Sequence, residues 1–165
     1  MKLCLMRHGD AMSAVIDSIR PLSEKGMAEA EVAGVFLRRV GEVPDVIIHS
    51  TLLRGKLTAE CVAAASGAGD VLEQWRGLEP YDSTDDFLSE LQLTFGASER
   101  NILVVGHQPF ISEFASLLLA RSEAAVSLKF TTGSLCGVKS EGMGKFWTLR
   151  FHITSKHLLG LIQLD

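Results

Sequence analysis

The chain has 165 residues, of which 47% are apolar and 22% are charged, and its formal net charge is −4. The length predicts a single domain spanning residues 1–165, and the composition argues against long disordered segments. The acidic balance argues against nucleic-acid binding, which needs a clustered basic face. No apolar stretch reaches the ~18 residues that span a membrane, and no signal peptide is recognisable.

The chain contains three widely spaced cysteines and no C-x-x-C pair. This pattern argues against a disulfide framework and against a zinc site built from cysteines. No two histidines have the spacing of metal ligands, and nothing in the sequence calls for a cofactor. We predict a cytoplasmic protein that works as a monomer, without a metal or a cofactor.

Short apolar runs predict strands, and apolar residues repeated at three-and-four spacing predict helices. The two kinds of element alternate through about residue 120, which predicts an α/β three-layer sandwich whose central sheet is mostly parallel and flanked by helices. Later, two strands joined by a turn at residues 140–144 predict an antiparallel hairpin at one end of the sheet. Residues 11–20 and 76–85 are predicted loops, and residues 154–165 show no clear pattern. The predicted strands span residues 1–6, 45–49, 71–75, 101–105, 135–139 and 146–153, and the predicted helices span residues 23–41, 52–65, 86–95 and 109–120.

The first predicted helix is amphipathic. Apolar side chains at three-and-four spacing line one side of a helix. This spacing predicts a buried face formed by Ala28, Val32, Val35 and Phe36. Glu29 is predicted to lie on the other side of the helix, facing solvent.

Three of the predicted strands end in histidine and arginine residues. Arg7-His8-Gly9 follows the first strand, Ser50 and Arg54 follow the second, and Gly106-His107-Gln108-Pro109 follows the fourth. In an open α/β sheet, ligands bind beyond the carboxyl ends of the strands. We therefore expect these three segments to meet in one site.

The residue types at these strand ends indicate an anionic ligand. Arginine presents a planar fork of N–H donors that matches the oxygens of a phosphoryl group. Arg7 and Arg54, joined by Arg20 from the loop after the first strand, imply a dianionic ligand. Neighbouring cations favour the neutral ring of a histidine, which is its nucleophilic form. His8 and His107 among arginines therefore suit phosphoryl chemistry.

Three further residues are candidate contacts of a bound phosphate. Gly9 has no side chain, which would let a phosphate approach the backbone next to the histidine before it. Ser50 and Gln108 carry groups that would add hydrogen bonds to phosphate oxygens.

Other hydrolase and phosphate-binding signatures are absent from the sequence. It contains no Cys and Arg six positions apart, as cysteine phosphatases need, and no G-x-x-x-x-G-K-[ST], H-E-x-x-H or G-x-S-x-G motif. Carboxylates do not cluster in the sequence around His8 or His107. The histidines and arginines therefore have to carry the chemistry.

The three motifs together resemble those of the histidine phosphatase superfamily. Arg7-His8-Gly9 resembles its signature, S-T-L-L-R-G-K-L-T-A-E at residues 50–60 resembles its second arginine motif, and Gly106-His107-Gln108-Pro109 resembles its second histidine motif. Within the superfamily, R-P-L-S at residues 20–23, F-T-T-G at residues 130–133 and the short length resemble the SixA-type phosphohistidine phosphatases. The resemblance covers nearly the whole chain and implies a phosphoglycerate mutase-like fold.

The resemblance also implies a role for each motif residue. His8 would be the nucleophile that takes up the phosphoryl group, and Arg7, Arg54 and His107 would hold its oxygens and stabilise charge in the transition state. Arg20 would guide the phosphoryl group of the substrate. Water would then release phosphate from the phosphorylated nucleophile.

Larger members of the superfamily use an acidic residue after the third strand as a general acid that protonates a leaving oxygen. The chain departs from the family pattern at this residue. Glu79 lies near that position, and Asp82 is a second candidate. SixA-type members can lack this acid. An alkoxide leaving group needs a proton donor, whereas an imidazole leaving from phosphohistidine can depart already protonated.

The resemblance implies a substrate that carries phosphohistidine on a protein, such as the phosphotransfer domain of a two-component relay. The short chain leaves no room for the lid insertions with which larger members enclose small sugar phosphates, so an open site is expected. Two alternatives stay open: a phosphomonoesterase for small phosphate esters, if Glu79 or Asp82 acts as acid, and a phosphate-sensing module without turnover. The presence of His8 favours an enzyme, because anion binding alone needs no nucleophile.

Overall fold

The computed structural model describes residues 1–69, 71–96, 98–141 and 146–162, and it places six strands in one sheet. The strands are β1 (Lys2–Arg7), β2 (Val46–His49), β3 (Leu72–Gln74), β4 (Asn101–Gly106), β5 (Leu135–Glu141) and β6 (Phe146–Ile153). Their order across the sheet is β3-β2-β4-β1-β5-β6. The first four pair in parallel, β5 runs antiparallel to β1, and β6 runs antiparallel to β5. The predicted mostly parallel sheet with a hairpin at one end is therefore confirmed, while residues 142–144 of the predicted turn lie outside the described residues.

Helices cover both faces of the sheet. They are α1 (Glu24–Arg39), α2 (Leu53–Ser66), α3 (Thr84–Phe95), α4 (Phe110–Ala120) and α5 (Ser155–Ile162), and a short 3-10 helix spans Asp17–Ile19. α1, α2 and α5 pack on one face and α3 and α4 on the other, which gives the predicted three layers. α3 begins at Thr84 rather than at residue 86, because the Ser83 side chain accepts a hydrogen bond from the Asp86 N–H and caps the helix. α5 lies in the C-terminal stretch for which no element was predicted. None of the helices in the described residues is long and apolar enough to cross a membrane.

The two faces of β1 contribute to different halves of the core. Leu3 and Leu5 pack with the residues of α3 and α4, among them the fully buried Phe87. Cys4 and Met6 pack with the smaller side chains of α1 and α2. Successive side chains of a strand face opposite ways, so β1 is covered on both sides. The strand that leads into the first motif is therefore held firmly in the sheet.

The buried face of α1 differs from the predicted one. Glu29 is only 2% exposed although it was predicted to face solvent, whereas Ala28 is exposed. The helix packs closely on α2 through small residues: a Cβ atom on Gly34 would lie 2.7 Å from the Cβ atom of Ala65. The prediction is confirmed for Val32 and for Phe36, which packs against the core, but it was wrong for Ala28 and Glu29. Hydrophobic spacing shows neither close packing through glycine nor the distant partners of a buried carboxylate.

Candidate active site

The three motif segments meet at the carboxyl ends of β1, β2 and β4. Arg7 at the end of β1 pairs with Gly106 at the end of β4, and β2 flanks β4 in parallel. The rings of His8 and His107, which follow these strand ends, have centroids 4.9 Å apart. The sheet topology therefore assembles one site from parts of the chain that are far apart in sequence.

His8 is held as a neutral ring with one nitrogen free. Its Nδ1 atom lies 2.7 Å from the carbonyl oxygen of Gly9. Because a carbonyl only accepts hydrogen bonds, Nδ1 carries the proton and Nε2 keeps its lone pair. Burial, helped by the positive charges of Arg54, Arg7 and Arg20, lowers the pKa of His8 to about 4 against the opposing hydrogen bond to Gly9. At neutral pH the ring is uncharged, and Nε2 is available for attack on phosphorus.

The segment after His8 is fixed from two sides. The Gly9 N–H donates to Thr58 Oγ1 at 3.1 Å, and the Thr58 hydroxyl donates to the Arg54 carbonyl at 2.6 Å. A Cβ atom on Gly9 would collide with the carbonyl oxygen of Gly26 in α1. Close contact with α1 therefore requires glycine here, and the predicted approach of phosphate to this backbone stays a prediction. The bracing role of Thr58 could not be read from the sequence, because Gly9 is 49 residues away.

Glu29 connects this segment to two distant parts of the chain. Its carboxylate accepts hydrogen bonds from the Asp10 N–H at 2.9 Å and from the hydroxyls of Thr132 at 3.1 Å and Ser155 at 3.2 Å. Lys25 Nζ lies 3.6 Å from it. These partners compensate the buried charge, and they bind the loop after β1 to the loop before β5 and to the start of α5.

Three buried donors of the motif residues have no hydrogen-bond partner in the described part of the chain. Four buried side-chain nitrogens there lack a partner, and three of them are Arg7 Nε, Arg54 Nε and His107 Nδ1. An unsatisfied buried donor costs about 1–3 kcal/mol, so three of them in one site indicate a ligand with several acceptor oxygens. The described residues contain no group of three or more His, Cys, Asp and Glu side chains arranged to hold a metal ion.

Ser50 orients the ring of His107. Ser50 is fully buried, and its Oγ atom lies 2.5 Å from His107 Nε2. The hydroxyl is buried and this ring is its one partner within the described residues, so we assign the hydroxyl as the donor to Nε2, which leaves the ring proton on Nδ1. Gly55 makes room for the pair, since a Cβ atom there would lie 2.5 Å from Ser50 Oγ. Ser50 is therefore a direct partner of His107, and its predicted contact with phosphate stays a prediction.

The His107 ring stays neutral. Burial lowers its pKa to about 3, and the neighbouring His8 and Arg54 act in the same direction. A neutral ring protonated on Nδ1 presents a single N–H donor, and this is the buried donor that has no partner. His107 is therefore suited to donate a hydrogen bond to a phosphoryl oxygen.

We expect Ser50→Ala to shift the ring proton of His107 from Nδ1 toward Nε2, because the hydroxyl that donates to Nε2 is removed. Loss of one hydrogen bond of about 1.4 kcal/mol corresponds to a roughly 10-fold fall in kcat/KM. Nitrogen-15 NMR of the ring reports the proton position directly. Ser66→Ala, at another buried serine, is the control, and an unchanged His107 spectrum in Ser50→Ala would contradict the assignment.

Arg54 and Arg20 share an acidic partner, Asp17, which no sequence motif contains. Arg54 donates to the Asp17 carbonyl at 3.0 Å and to its carboxylate at 3.1 Å. Arg20 donates to the other carboxylate oxygen at 3.2 Å and to the carbonyls of Met12 and Ala11. The structure thus places Arg20 beside the site but engaged within its own loop, and its contact with substrate stays a prediction. An exposed loop aspartate outside any motif gives no signal in the sequence.

Gln108 supports Arg7 through a shared carbonyl. Its Nε2 atom donates to the Phe130 carbonyl at 3.5 Å, and Arg7 Nη1 donates to the same carbonyl at 3.0 Å. Gln108 Oε1 accepts a hydrogen bond from the Ser112 hydroxyl at 2.7 Å. Both ends of the Gln108 amide therefore have partners within the protein, and its contact with phosphate stays a prediction.

Glu79 and Asp82 form an acidic pair at the edge of the site. Glu79 accepts hydrogen bonds from the Thr51 hydroxyl at 2.6 Å and the Thr51 N–H at 3.3 Å. Burial would raise the pKa of Glu79, but the hydrogen bonds from Asp82, Thr51 and the backbone outweigh it and lower this pKa to about 2. Burial and the hydrogen bond to Glu79 raise the pKa of Asp82. Glu79 is therefore ionised and poorly prepared to donate a proton, while Asp82 retains a proton more readily.

The chain is similar in sequence to proteins of one family. A sequence model of the histidine phosphatase superfamily (branch 1) matches residues 3–85. An uncharacterized protein of Picosynechococcus sp. is 32% identical over 143 residues, which cover 85% of this chain and 86% of that protein. The phosphohistidine phosphatase SixA of Escherichia coli (strain K12) is 26% identical over 145 residues, which cover 87% of this chain and 88% of that protein.

The structure is similar to a solved member of this family, the protein histidine phosphatase SixA complexed with tungstate. The TM-score is 0.87 at 24% identity, with 96% of this chain and 99% of that chain covered. This likeness confirms the predicted phosphoglycerate mutase-like fold. The matched residues 3–85 include the first two motifs, and the third lies at the end of the neighbouring strand. The chain therefore belongs to the histidine phosphatase superfamily (branch 1) and is a phosphatase.

Proposed function

We propose that this phosphatase hydrolyses phosphohistidine on a protein through a covalent intermediate on His8. The observation that carries the proposal is the neutral His8 ring, with Nε2 free, in a site with three buried donors that have no partner. A nucleophile and several donors together suit transfer of a phosphoryl group, whereas a site that only binds phosphate needs no nucleophile. The E. coli relative that bears the name phosphohistidine phosphatase supports the substrate class.

In the first step, His8 Nε2 attacks phosphorus as the P–N bond to the substrate imidazole breaks. The substrate ring, protonated on its other nitrogen, takes the bonding electron pair and leaves as a neutral imidazole. The His8 ring then carries both the phosphoryl group on Nε2 and its proton on Nδ1, and the Gly9 carbonyl stabilises the resulting positive charge. Arg7, Arg54 and His107 would donate hydrogen bonds to the phosphoryl oxygens throughout the transfer.

In the second step, water attacks phosphorus and the P–N bond to His8 breaks. Both hydrogens of the water stay with the product, which leaves as dihydrogen phosphate, and Nε2 recovers its lone pair. Neither step needs a proton from an external acid, which fits the ionised state of Glu79.

We expect Glu79→Gln to change phosphohistidine hydrolysis little, because the leaving imidazole brings its own proton. A general acid contributes about 10²–10⁴-fold to a reaction that needs one, so a loss of that size would show that Glu79 protonates the leaving group. The measurement is kcat/KM on a phosphohistidine-bearing phosphotransfer domain. Exposed Glu90 of α3, changed to Gln, serves as the matched control.

The second candidate function is a phosphomonoesterase for small phosphate esters, and the raised pKa of Asp82 favours it. An alkoxide leaving group needs a protonated acid nearby, and Asp82 retains its proton more readily than its partner. On this hypothesis Asp82→Asn abolishes ester hydrolysis. Under the phosphohistidine proposal the same variant keeps its activity on phosphohistidine.

The test of the proposal is to compare phosphate release from the phosphotransfer domain with release from free phosphoserine. Faster turnover of the phosphohistidine protein is the expected result. Turnover of phosphoserine alone would overturn the proposal in favour of the esterase. A relay protein as partner, a cytoplasmic location and a monomeric state also stay predictions.

A further inference from the structure

The loop between β1 and α1 exposes an unusual number of large apolar side chains. Val15 is fully exposed, and Met12, Ile16 and Ile19 are each more than half exposed. We call these four residues the apolar rim. No other eight-residue segment of the described chain exposes as many large apolar side chains. A concentration of this kind on a protein surface marks a place where a partner binds.

The backbone that presents the apolar rim is braced. Ala11 forms a β-bridge with Leu22, and the Met12 N–H donates to the Pro21 carbonyl at 2.9 Å. Arg20 Nε closes the loop by donating to the Met12 carbonyl at 2.9 Å. These contacts hold the ends of the loop together. The loop therefore has a defined conformation in which its apolar side chains are exposed.

The apolar rim adjoins the candidate active site. Val15, Ile16 and Ile19 lie within two residues of Asp17, which accepts both hydrogen bonds of the Arg54 guanidinium. Arg54 itself is nearly buried, with 5% of its surface exposed. The apolar side chains therefore lie beside one of the groups expected to hold the phosphoryl oxygens.

We propose that the apolar rim is the docking surface for the protein that carries the phosphohistidine. This inference rests on the proposed function, because it names the partner of the same site. A histidine side chain is short, so the backbone that carries a phosphoryl group into the site must come close to the residues around the entrance. A free phosphate compound needs only the arginines and histidines, and would leave the rim uncovered.

The charges of the loop favour a protein with an apolar surface over a lipid membrane. Residues 12–19 contain no lysine or arginine, and Arg20 is engaged with Asp17 and with loop carbonyls. Binding to an anionic membrane surface needs basic residues beside the apolar ones. The expected partner surface is therefore apolar around its phosphohistidine.

The test compares two substrates in the double variant Val15→Ser, Ile16→Ser. The protein substrate is the phosphotransfer domain that carries phosphohistidine. The small substrate is phosphoramidate, which contains a P–N bond of the same kind. Truncation of residues at the centre of an interface weakens the binding free energy by about 1.4 kcal/mol or more, which corresponds to a rise in KM of about 10-fold. We expect that rise in KM for the domain and no change for phosphoramidate. Leu93→Ser, at an exposed leucine of α3, is the matched control and should change neither.

The other outcomes each overturn the docking surface or the proposed function. Equal losses on both substrates would mean that the loop acts on the site itself, and unchanged kinetics on both would mean that the apolar rim does not dock the substrate. If the wild-type protein sediments as a dimer and the double variant as a monomer, the apolar rim would serve self-association instead. Failure of the wild-type enzyme to hydrolyse the phosphotransfer domain would overturn the proposed function together with its docking surface.

Discussion

Replacing His8 with alanine should abolish phosphate release from phosphohistidine. The variant loses Nε2, the nitrogen that forms the bond to phosphorus, and no other described side chain has been assigned that role. Removing the nucleophile of an enzyme that works through a covalent intermediate lowers kcat by about 10⁴-fold or more. The remaining arginines would still bind phosphate, so kcat should fall much more than phosphate affinity.

The intermediate can be followed with a substrate labelled in its phosphoryl group. The wild-type chain should carry the label after an alkaline quench, in which phosphohistidine is stable, and His8→Ala should carry none. His157→Ala, at an exposed histidine of α5, controls for loss of a histidine elsewhere. Label on the His8→Ala chain would place the nucleophile at another residue.

Replacing Arg54 with methionine should give the second large effect. The variant keeps the volume of the side chain but loses the planar fork and its charge, and removing one preorganised donor from a transition state costs about 10²–10³-fold in kcat. The pKa of His8 should also rise above about 4, because the Arg54 charge contributes to lowering it. The low-pH limit of activity, where His8 becomes protonated and loses its nucleophilic lone pair, should move to higher pH in the variant.

Arg54→Lys separates the two parts of this prediction. Lysine keeps the positive charge but cannot reproduce the two-pronged geometry of the guanidinium. We therefore expect Arg54→Lys to lose activity while the pKa of His8, followed by NMR of its ring protons, stays low. A His8 pKa that does not change in Arg54→Met would show that Arg54 contributes nothing and that burial, with Arg7 and Arg20, keeps the ring neutral.

The layout of the sheet and the meeting of the motifs were predictable, because both follow from local sequence. Short apolar runs locate the strands, and parallel neighbours bring their ends to one edge. His8, Arg54 and His107 could therefore be assigned to one site from the sequence alone. The hairpin at the end of the sheet followed from its turn residues in the same way.

The supporting contacts could not be predicted, because their partners are distant in sequence. Thr58 braces Gly9 across 49 residues, and Asp17 meets Arg54 across 37. Neither residue belongs to a local pattern that reveals its partner. Glu29 was wrongly placed in solvent because a carboxylate on a helix is usually exposed, whereas here three distant donors and Lys25 compensate its burial.

The Glu29 contacts have a consequence for folding. Its hydrogen bonds to Thr132 and Ser155 span 103 and 126 residues, and the same carboxylate receives the Asp10 N–H. Contacts between residues so far apart form late, because the chain between them must be ordered first. We therefore expect the loop after β1 to reach its final position only when α5 has packed. A chain still being synthesised would contain its nucleophile well before α5 is made, and we expect it to become an enzyme only after α5 has packed.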